Sequence, residues 1–239
     1  LMPDQTLDIG FSATAMHYVS EKPCQIPNHV HMVGASGGAL DAFSLQARDD
    51  WSRILLSRSA ELKPGGRLVF MNFGIDEDGR YLGNTGGIKL FNNFNDICCE
   101  LRQERLITHD EWVDATFSQF YRTREEFCTP LVDPSSEVYQ SGLRLVSAHT
   151  DVVTCPYRAA YEAAGGTMSA QEFATSYIPT LRSWSETVFA TALDSSRPED
   201  ARAALVDQFY QRYEDRVAAD PTGHAMDYVH CYLAIEKIS

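Results

Sequence analysis

The sequence feature that most constrains the fold is a helical pattern that stops at a Pro-Gly-Gly sequence and is followed at once by a strand-like pattern. Residues 41–62 carry apolar side chains at helical spacing. The predicted helix ends at Lys63-Pro64-Gly65-Gly66, because proline disfavours helix at the residue before it and the glycines permit a turn. Residues 67–73 then favour a strand. Another short strand is predicted at 29–33, before the helix. The order strand, helix, strand predicts a crossover connection between parallel strands, and therefore a parallel sheet in an α/β protein.

The rest of the chain also combines β-like and helical patterns, without internal repeats. The sequence predicts strands at 6–11, 142–153 and 225–238. It predicts helices at 88–107, from near Arg124, at 169–193 and at 199–217. Helices inserted between sheet strands favour a helical cap laid over one edge of the sheet.

The charge balance and the cysteines argue against several classes of protein. The 239 residues include 20 Lys and Arg against 33 Asp and Glu, a formal net charge of -13, which opposes binding to nucleic acid or to an anionic membrane surface. No apolar run approaches the roughly 18 residues that a membrane span needs. The six cysteines are scattered without a Cys-x-x-Cys pair, which is typical of reduced thiols in a cytoplasmic protein.

Several short motifs occur in the order in which one enzyme family carries them. Residues 8–23 are similar to the signature S-S-Y-S-L-H-W-L-S-x-x-P, with matches at Ser12, His17, Ser20 and Pro23. The family's R-S-x-E-L motif is present as Arg58-Ser59-Ala60-Glu61-Leu62. Partial matches follow at 104–107, 117–126, 182–186 and 209–213. Taken together, the chain resembles the SABATH family of S-adenosylmethionine-dependent carboxyl methyltransferases over nearly its whole length.

The resemblance implies a fold and a division of the chain. The fold would be α/β, with the C-terminal portion of a Rossmann-like class I methyltransferase sheet and an inserted α-helical cap. The family's glycine-rich cofactor loop is expected before Leu1. Residues 1–86 would belong to the sheet core, 87–141 and 156–200 to the two parts of the cap, 142–155 to a returning strand, and 201–239 to the last helix and final strand of the core.

The resemblance also implies a reaction. A methyl group would pass from S-adenosylmethionine to the carboxylate of a small aromatic or apolar acid, giving a methyl ester, in a cytoplasmic homodimer. A free carboxylic acid has a pKa near ~4, so the acceptor is ionised at pH 7 and needs no base. Catalysis would then consist of positioning and exclusion of water, and no catalytic acid or base is predicted.

The resemblance assigns residues to the acceptor and cofactor sites. His17 and Tyr18 would hold the acceptor carboxylate, with Tyr18 in place of the family's tryptophan. Thr14 stands where the family has a tyrosine, which should enlarge or repolarise the pocket. The pocket walls would be Leu90, Phe91, Phe120, Leu181 and Trp184, and Phe11 and Ser12 would contact the cofactor. The family's divalent-cation residues align with 113–116, where the pattern is not kept, so no metal is predicted.

Other interpretations remain open at this point. Gly34-Ala35-Ser36-Gly37-Gly38 matches Gly-x-Ser-x-Gly between a predicted strand and a helix, the context of a hydrolase nucleophile with His224 or His230 as its base. His29 and His31 lie two apart on that predicted strand and could share a metal, but no third ligand is evident, so a core or solvated pair is favoured. Related enzymes methylate ring nitrogens, so N-methylation is a further alternative. The last alternative is a non-catalytic member of the family that binds a small acid or a partner protein.

Overall fold

The computed structural model describes residues 2–83 and 88–238, with the backbone alone at Ile88 and Lys89. The predicted boundary between residues 86 and 87 lies outside these ranges. Within them, no helix combines the length and the apolar character needed to cross a membrane. The strands are β1 (Leu7–Ala13), β2 (Leu62–Ile75), β3 (Arg122–Thr123), β4 (Leu143–Val152) and β5 (Val229–Lys237). The helices are α1 (Gly37–Glu61), α2 (Ile88–Gln103), α3 (His109–Asp114), α4 (Arg124–Val132), α5 (Glu137–Gln140), α6 (Pro156–Ala163), α7 (Ala170–Ala192) and α8 (Glu199–Ala219).

The strands form a mixed sheet in the order β1-β2-β5-β4, within an α/β fold. β1 and β2 run parallel and are joined through α1, so a crossover is present. β5 runs antiparallel to both of its neighbours, β2 and β4. β3 pairs in parallel with the carboxyl end of β2, where Gly74 lies opposite Arg122. The prediction of a parallel sheet is therefore wrong beyond these pairs, because an apolar pattern marks a strand but does not encode its direction.

The segment predicted as a strand at 29–33 is a loop that contains a single 3-10 turn at Met32–Gly34. Two histidine rings satisfy its backbone donors. Nδ1 of His29 accepts from the N–H of His31, and Nδ1 of His31 accepts from the N–H of Val33. Because side chains take these donors, the segment needs no neighbouring strand. The strand that precedes α1 in the crossover is β1.

The glycines after α1 do not form the predicted turn. α1 ends at Glu61 and β2 begins at Leu62, so the Pro-Gly-Gly sequence is the first part of the strand. Gly65 has a φ of 81°, in the left-handed region that favours glycine. A Cβ on Gly66 would lie 3.1 Å from the carbonyl oxygen of Leu7. The two glycines therefore bend the start of β2 and bring it close to β1.

The helices build two separate cores. α1 and α4 cover one face of the sheet, where the ring of Trp51 meets Phe70 of β2 and Phe127 of α4 at 5.1 and 5.3 Å. The indole N–H donates to the carbonyl oxygen of Phe127 at 3.0 Å, so this buried polar atom is satisfied. The other core lies among α2, α7 and α8, where Phe94 stacks on Phe209 with 5.7 Å between ring centroids. α1 contributes to both cores, since its Phe43 and Ala47 belong to the core of the helices expected to form the cap.

The two outer strands of the sheet differ in what they expose. Among the described residues, β1 pairs only with β2, and its Ile9 and Phe11 are 65% and 66% exposed. β4, at the opposite edge, has an irregular register between Leu145 and Ser147. Such bulges interrupt the regular row of backbone groups that an edge strand presents to solvent. The bulge therefore makes the β4 edge a poor template for a further strand.

Candidate active site

Five aromatic side chains meet beyond the carboxyl ends of the parallel strands β1 and β2. His17 follows β1, Phe73 lies near the end of β2, and Tyr121 comes just before β3. Open α/β sheets bind ligands at the carboxyl ends of their parallel strands. We call this group the aromatic site, and its members are His17, His31, Phe73, Phe91 and Tyr121.

Tyr121 is the centre of the aromatic site. Its ring centroid lies 5.4 Å from that of His31, 5.8 Å from His17, 6.0 Å from Phe91 and 6.1 Å from Phe73. These separations are typical of favourable contacts between aromatic rings. Burial raises the pKa of the Tyr121 phenol well above its ordinary value, so the hydroxyl stays protonated at neutral pH and remains a hydrogen-bond donor.

His17 is buried, yet one of its ring nitrogens lacks a partner. The residue is 3% exposed, and its Nδ1 has no hydrogen-bond partner among the described residues. Burial, reinforced by the positive charge of Arg122, lowers the pKa of His17 to about 3. The ring is therefore neutral at pH 7 and carries one N–H, which an anion beside it would accept. Leaving a buried polar atom unpaired costs about 1–3 kcal/mol, so the arrangement favours a bound ligand.

His31 and Phe91 form the flat wall of the site. Their rings stack at 3.6 Å with an angle of 10° between their planes. Because Nδ1 of His31 accepts from the Val33 N–H, its Nε2 carries the proton and donates to Oε1 of Gln119 at 3.3 Å. Burial lowers the pKa of His31 well below its usual value. The wall is thus uncharged and held in one orientation.

His29 and His31 do not share a site for a metal ion. Nε2 of His29 lies 3.1 Å from Oδ1 of Asn92, and its Nδ1 is occupied by the His31 N–H. In the part of the chain that the structure describes, no group of three or more His, Cys, Asp or Glu side chains has the geometry to hold a metal. Both histidines are hydrogen-bonded parts of the loop before α1.

Thr14 and Tyr18, predicted to adjoin the acceptor, lie on the same loop as His17. Thr14 has a φ of 51°, and its backbone N–H donates to the carbonyl oxygen of Met71 at 2.6 Å, which ties the loop to β2. Tyr18 is 50% exposed, with its ring centroid 4.2 Å from that of His17. Tyr18 therefore lies between the aromatic site and solvent.

The predicted wall residues on the cap helices differ in their distance from the site. Phe91 belongs to the aromatic site, and the buried Leu90 precedes it on α2. Leu181 is fully buried within α7. Trp184 reaches the site through Phe117, whose ring lies 5.9 Å from Trp184 and 5.8 Å from His31. The structure thus places Phe91 against His31 and Tyr121, and Trp184 one ring further away.

Three predicted residues line other cavities. Phe120 lines a cavity of about 470 Å³ between α1 and α4. Phe11 and Ser12, predicted to contact the cofactor, line a groove of about 400 Å³ beside β1 and α1. The exposed ring of Phe11 and the hydroxyl of Ser12 are free to meet a ligand there.

The structure does not support a hydrolase nucleophile at Ser36. This residue is exposed at the start of α1 and follows a 3-10 turn, not the strand that such a nucleophile requires. His230, one predicted base, packs on Phe73 with 5.0 Å between ring centroids, and His224, the other, lies 6.1 Å from the ring of Tyr213. Among the described residues, no hydrogen bond joins Ser36 to a histidine.

Mild acid should destabilise the fold through the two neutral histidines of the site. Since His17 has a pKa of about 3 and that of His31 is also lowered, the unfolded state takes up protons below pH 6.5 that the folded state does not. The free energy of unfolding should therefore fall between pH 6.5 and 5, by about 2 kcal/mol through His17 alone. Urea titrations at pH 7 and 5 measure this, and His17→Phe should show a pH dependence smaller by about 2 kcal/mol, the contribution of His17. An unchanged dependence in that variant would contradict the assignment.

Comparison with known proteins places the chain in a family. A family model described as SAM-dependent carboxyl methyltransferase matches residues 1–238. The chain belongs to this family. The match confirms the resemblance that the motifs indicated, and it covers the aromatic site, the helices above it and the whole sheet.

One solved structure resembles this chain in fold. Loganic acid methyltransferase with SAH has a TM-score of 0.69 and 14% sequence identity, over 100% of this chain and 63% of that chain. A geranyl diphosphate methyltransferase in complex with SAM has a TM-score of 0.32 and 9% identity, over 99% of this chain and 53% of that one. No curated protein matches the chain in sequence. The present chain thus shares the methyltransferase fold and spans less than two thirds of the length of the first relative.

The aromatic site also has neighbours that the motifs did not indicate. Tyr228 stacks on Phe73 at 4.2 Å, and Tyr81 lies 5.9 Å from Tyr121. Phe73 had one signal in the sequence, since it lies at the carboxyl end of a predicted strand. Tyr81, Tyr121 and Tyr228 all come from irregular segments, and only the folded chain brings them together.

Proposed function

We propose that the protein transfers a methyl group from S-adenosylmethionine to the carboxylate of a small aromatic or apolar acid, forming a methyl ester. The observation that carries the proposal is the neutral aromatic site at the carboxyl ends of β1 and β2, in a chain of the carboxyl methyltransferase family. Its walls are ring faces, which suit an apolar acid. Its buried ring nitrogen without a partner, Nδ1 of His17, suits the carboxylate when it carries the imidazole proton.

The residues of the site would hold the carboxylate without protonating it. A neutral imidazole N–H on His17 and the phenol of Tyr121 are both much weaker acids than a carboxylic acid. They can therefore donate hydrogen bonds while the carboxylate remains the nucleophile. Tyr18, at the solvent side of His17, would close the site over the acceptor. Orientation and exclusion of water would supply the rate enhancement, and no residue would act as a base.

Phe11 and Ser12 fit part of the cofactor. The exposed ring of Phe11 offers a face for stacking, and the Ser12 hydroxyl offers a polar contact in the same groove. When bound, S-adenosylmethionine supplies an electrophilic methyl group. The chain's own residues orient the acceptor carboxylate and keep water from it.

We assign the remaining predicted residues and segments as follows. Thr14, Leu90, Leu181 and Trp184 would shape the acceptor pocket around the aromatic site, and Phe120 would support Tyr121 from behind. Residues 87–141 and 156–200 would close over the pocket as the cap, while 1–86, 142–155 and 201–239 form the core. The protein would act as a homodimer in the cytoplasm. Sedimentation velocity, expected to show twice the mass of the chain, tests the dimer.

A labelled methyl group tests the reaction directly. The full-length protein is incubated with methyl-labelled S-adenosylmethionine and a panel of benzoate, indole acetate and fatty acids, and the extracted product is treated with mild base. Release of labelled methanol would establish a methyl ester. Label that resists base would instead indicate transfer to nitrogen or to an ether oxygen. Cofactor binding without transfer would favour a binding protein, and failure to bind the cofactor would overturn the proposal.

A further inference from the structure

The cavity between α1 and α4 plays no part in the proposed methyl transfer. Its volume of about 470 Å³ lies in the range of small-molecule sites. Buried aromatic rings and charged groups of both signs line it. We propose that this cavity binds a small zwitterion with an apolar body, such as an amino acid with an aromatic side chain. The inference does not depend on the proposed reaction.

One extended segment separates this cavity from the aromatic site. Gln119 and Tyr121 face the aromatic site, where they contact His31, whereas Phe120 and Arg122 line the cavity. Successive side chains of an extended chain point to opposite sides, which explains the alternation. A ligand in the cavity would thus lie behind Tyr121, without touching the transfer site itself.

Arg122 gives the cavity a buried positive charge. The residue is 2% exposed, and among the described residues no carboxylate lies within ion-pair distance of it. Its terminal nitrogens donate to the carbonyl oxygens of Met16 and Ala47, while its Nε has no partner. Burial lowers the pKa of Arg122 to about 10, so it is still charged at pH 7. Glu126 and Asp50 act on this charge only from beyond ion-pair distance, so a carboxylate bound in direct contact would stabilise it further.

Two carboxylates balance the positive charge of the lining. Glu126 and Asp133 lie on the α4 side of the cavity, and Arg48 joins Arg122 on the other side. Glu126 accepts from the Thr123 N–H at Oε2 and, at 3.5 Å, from the Ser44 hydroxyl at Oε1. Asp133 accepts from the N–H and the hydroxyl of Ser135 at Oδ1. Each carboxylate oxygen has two lone pairs, so both groups keep acceptor capacity for an ammonium group. A simple anion would be repelled by this pair, and a simple cation by the arginines. A zwitterion satisfies both.

The rest of the lining is apolar and suits the body of such a ligand. Trp51 and Phe120 are 1% and 5% exposed and lie at the cavity wall with Ala47 and Pro130. The indole N–H of Trp51 is already used by Phe127, so the ring offers only its apolar surface. An aromatic side chain gains free energy by burial there. The cavity thus combines a carboxylate partner, an ammonium partner and an apolar wall.

Fluorine NMR of the protein labelled with 5-fluorotryptophan tests the proposal, because the three tryptophans report different places. Trp51 reports the cavity, Trp184 the cap near the aromatic site, and Trp112 serves as a remote reference. L-phenylalanine should shift the Trp51 resonance in a saturable way. Removing the ammonium group (3-phenylpropanoate) or the carboxylate (2-phenylethylamine) should weaken binding at least tenfold. Equal binding of either analogue would overturn the assignment to a zwitterion.

Two matched variants locate the binding. Thr129 lies at the exposed rim of the cavity, and Thr129→Phe should fill it and weaken the phenylalanine response at least tenfold. Thr191→Phe is the control, since Thr191 is an exposed helix residue whose hydroxyl likewise bonds a carbonyl four residues earlier. An unaffected Thr129→Phe variant, a shift of Trp184 alone or no shift at all would overturn the proposal. These variants leave Arg122 in place, so the result does not depend on whether an Arg122→Gln protein folds.

Discussion

Replacing His17 with phenylalanine should lower kcat/KM for methyl transfer about 100-fold and leave the thermal midpoint of unfolding unchanged or higher. The loss follows because a buried donor aimed at a reacting anion contributes roughly 10²–10³ in rate. Stability should not fall, because Nδ1 of His17 has no partner in the free protein and the phenylalanine ring keeps the contacts with Phe73 and Tyr121. Most buried polar side chains behave in the opposite way, since their removal breaks a hydrogen bond.

The matched control is His149→Phe. His149 is an exposed histidine of β4 whose ring stacks on Tyr232 at 4.9 Å, so the same substitution there changes a surface and not the site. Steady-state kinetics and differential scanning calorimetry on both variants make the comparison. A His17→Phe protein with activity within threefold of the parent would show that His17 does not bind the acceptor. A large fall in its thermal midpoint would show that the imidazole has a structural partner.

Replacing Glu111 with glutamine should cost about 3 kcal/mol of stability at pH 7. The carboxylate is 4% exposed and accepts four hydrogen bonds: two from Arg197 at 2.6 and 2.7 Å, one from the Asp194 N–H at 2.8 Å and one from the Thr108 N–H at 2.7 Å. The Glu111 carboxylate thereby connects the start of α3 to the turn after α7. Glutamine would remove the negative charge that pairs with Arg197. The NH2 group of the glutamine side chain would also face N–H donors that the carboxylate accepts from.

The effect of Glu111→Gln should depend on pH. Burial alone would raise the pKa of Glu111, but the hydrogen bonds from Arg197 and from two backbone N–H groups outweigh it and lower the pKa to about 2. A depressed pKa stabilises the fold above the unfolded-state value of 4.5, and this stabilisation is lost as the pH falls towards 2. The difference in unfolding free energy between the two proteins should therefore narrow over that range, as urea titrations can measure.

Glu104→Gln provides the exposed counterpart. Glu104 forms a similar bidentate ion pair with Arg212 on the protein surface, with hydrogen bonds of 2.7 and 2.6 Å. Solvent screens such pairs, so the urea midpoint of Glu104→Gln should stay close to that of the parent. Equal losses of unfolding free energy in Glu111→Gln and Glu104→Gln would mean that burial does not explain why the Glu111 ion pair is stabilising.

The sequence predicts elements with a strong internal period and fails where side chains replace backbone pairing. The helix predicted at 169–193 is α7, because Ser169 and Glu172 form a capping box at its start and apolar residues keep a helical spacing after it. The predicted strand at 29–33 is absent because histidine rings take its backbone donors. Such local hydrogen bonds are decided by ring orientation, which a pattern of apolar residues does not contain.

The candidate site could be predicted only in part, for a related reason. The motif around His17 indicates a contact with the acceptor, and the position of Phe91 on a predicted helix indicates a wall. Tyr121 and Tyr228 carry no such signal, since each lies in a segment without a regular period. They reach the site because β3 and β5 both pair with β2. The residues that precede β3 and β5 therefore lie at the carboxyl end of β2. Contacts of this kind depend on sheet order, which the sequence does not show.

The bulge in β4 limits how the sheet can extend at that edge. β4 pairs with β5, and its register is irregular between Leu145 and Ser147. An edge strand with a regular row of free backbone groups can accept a strand from another molecule, whereas a bulge interrupts that row. The β4 edge is therefore a poor template for intermolecular strand pairing, which protects the sheet from aggregation on that side.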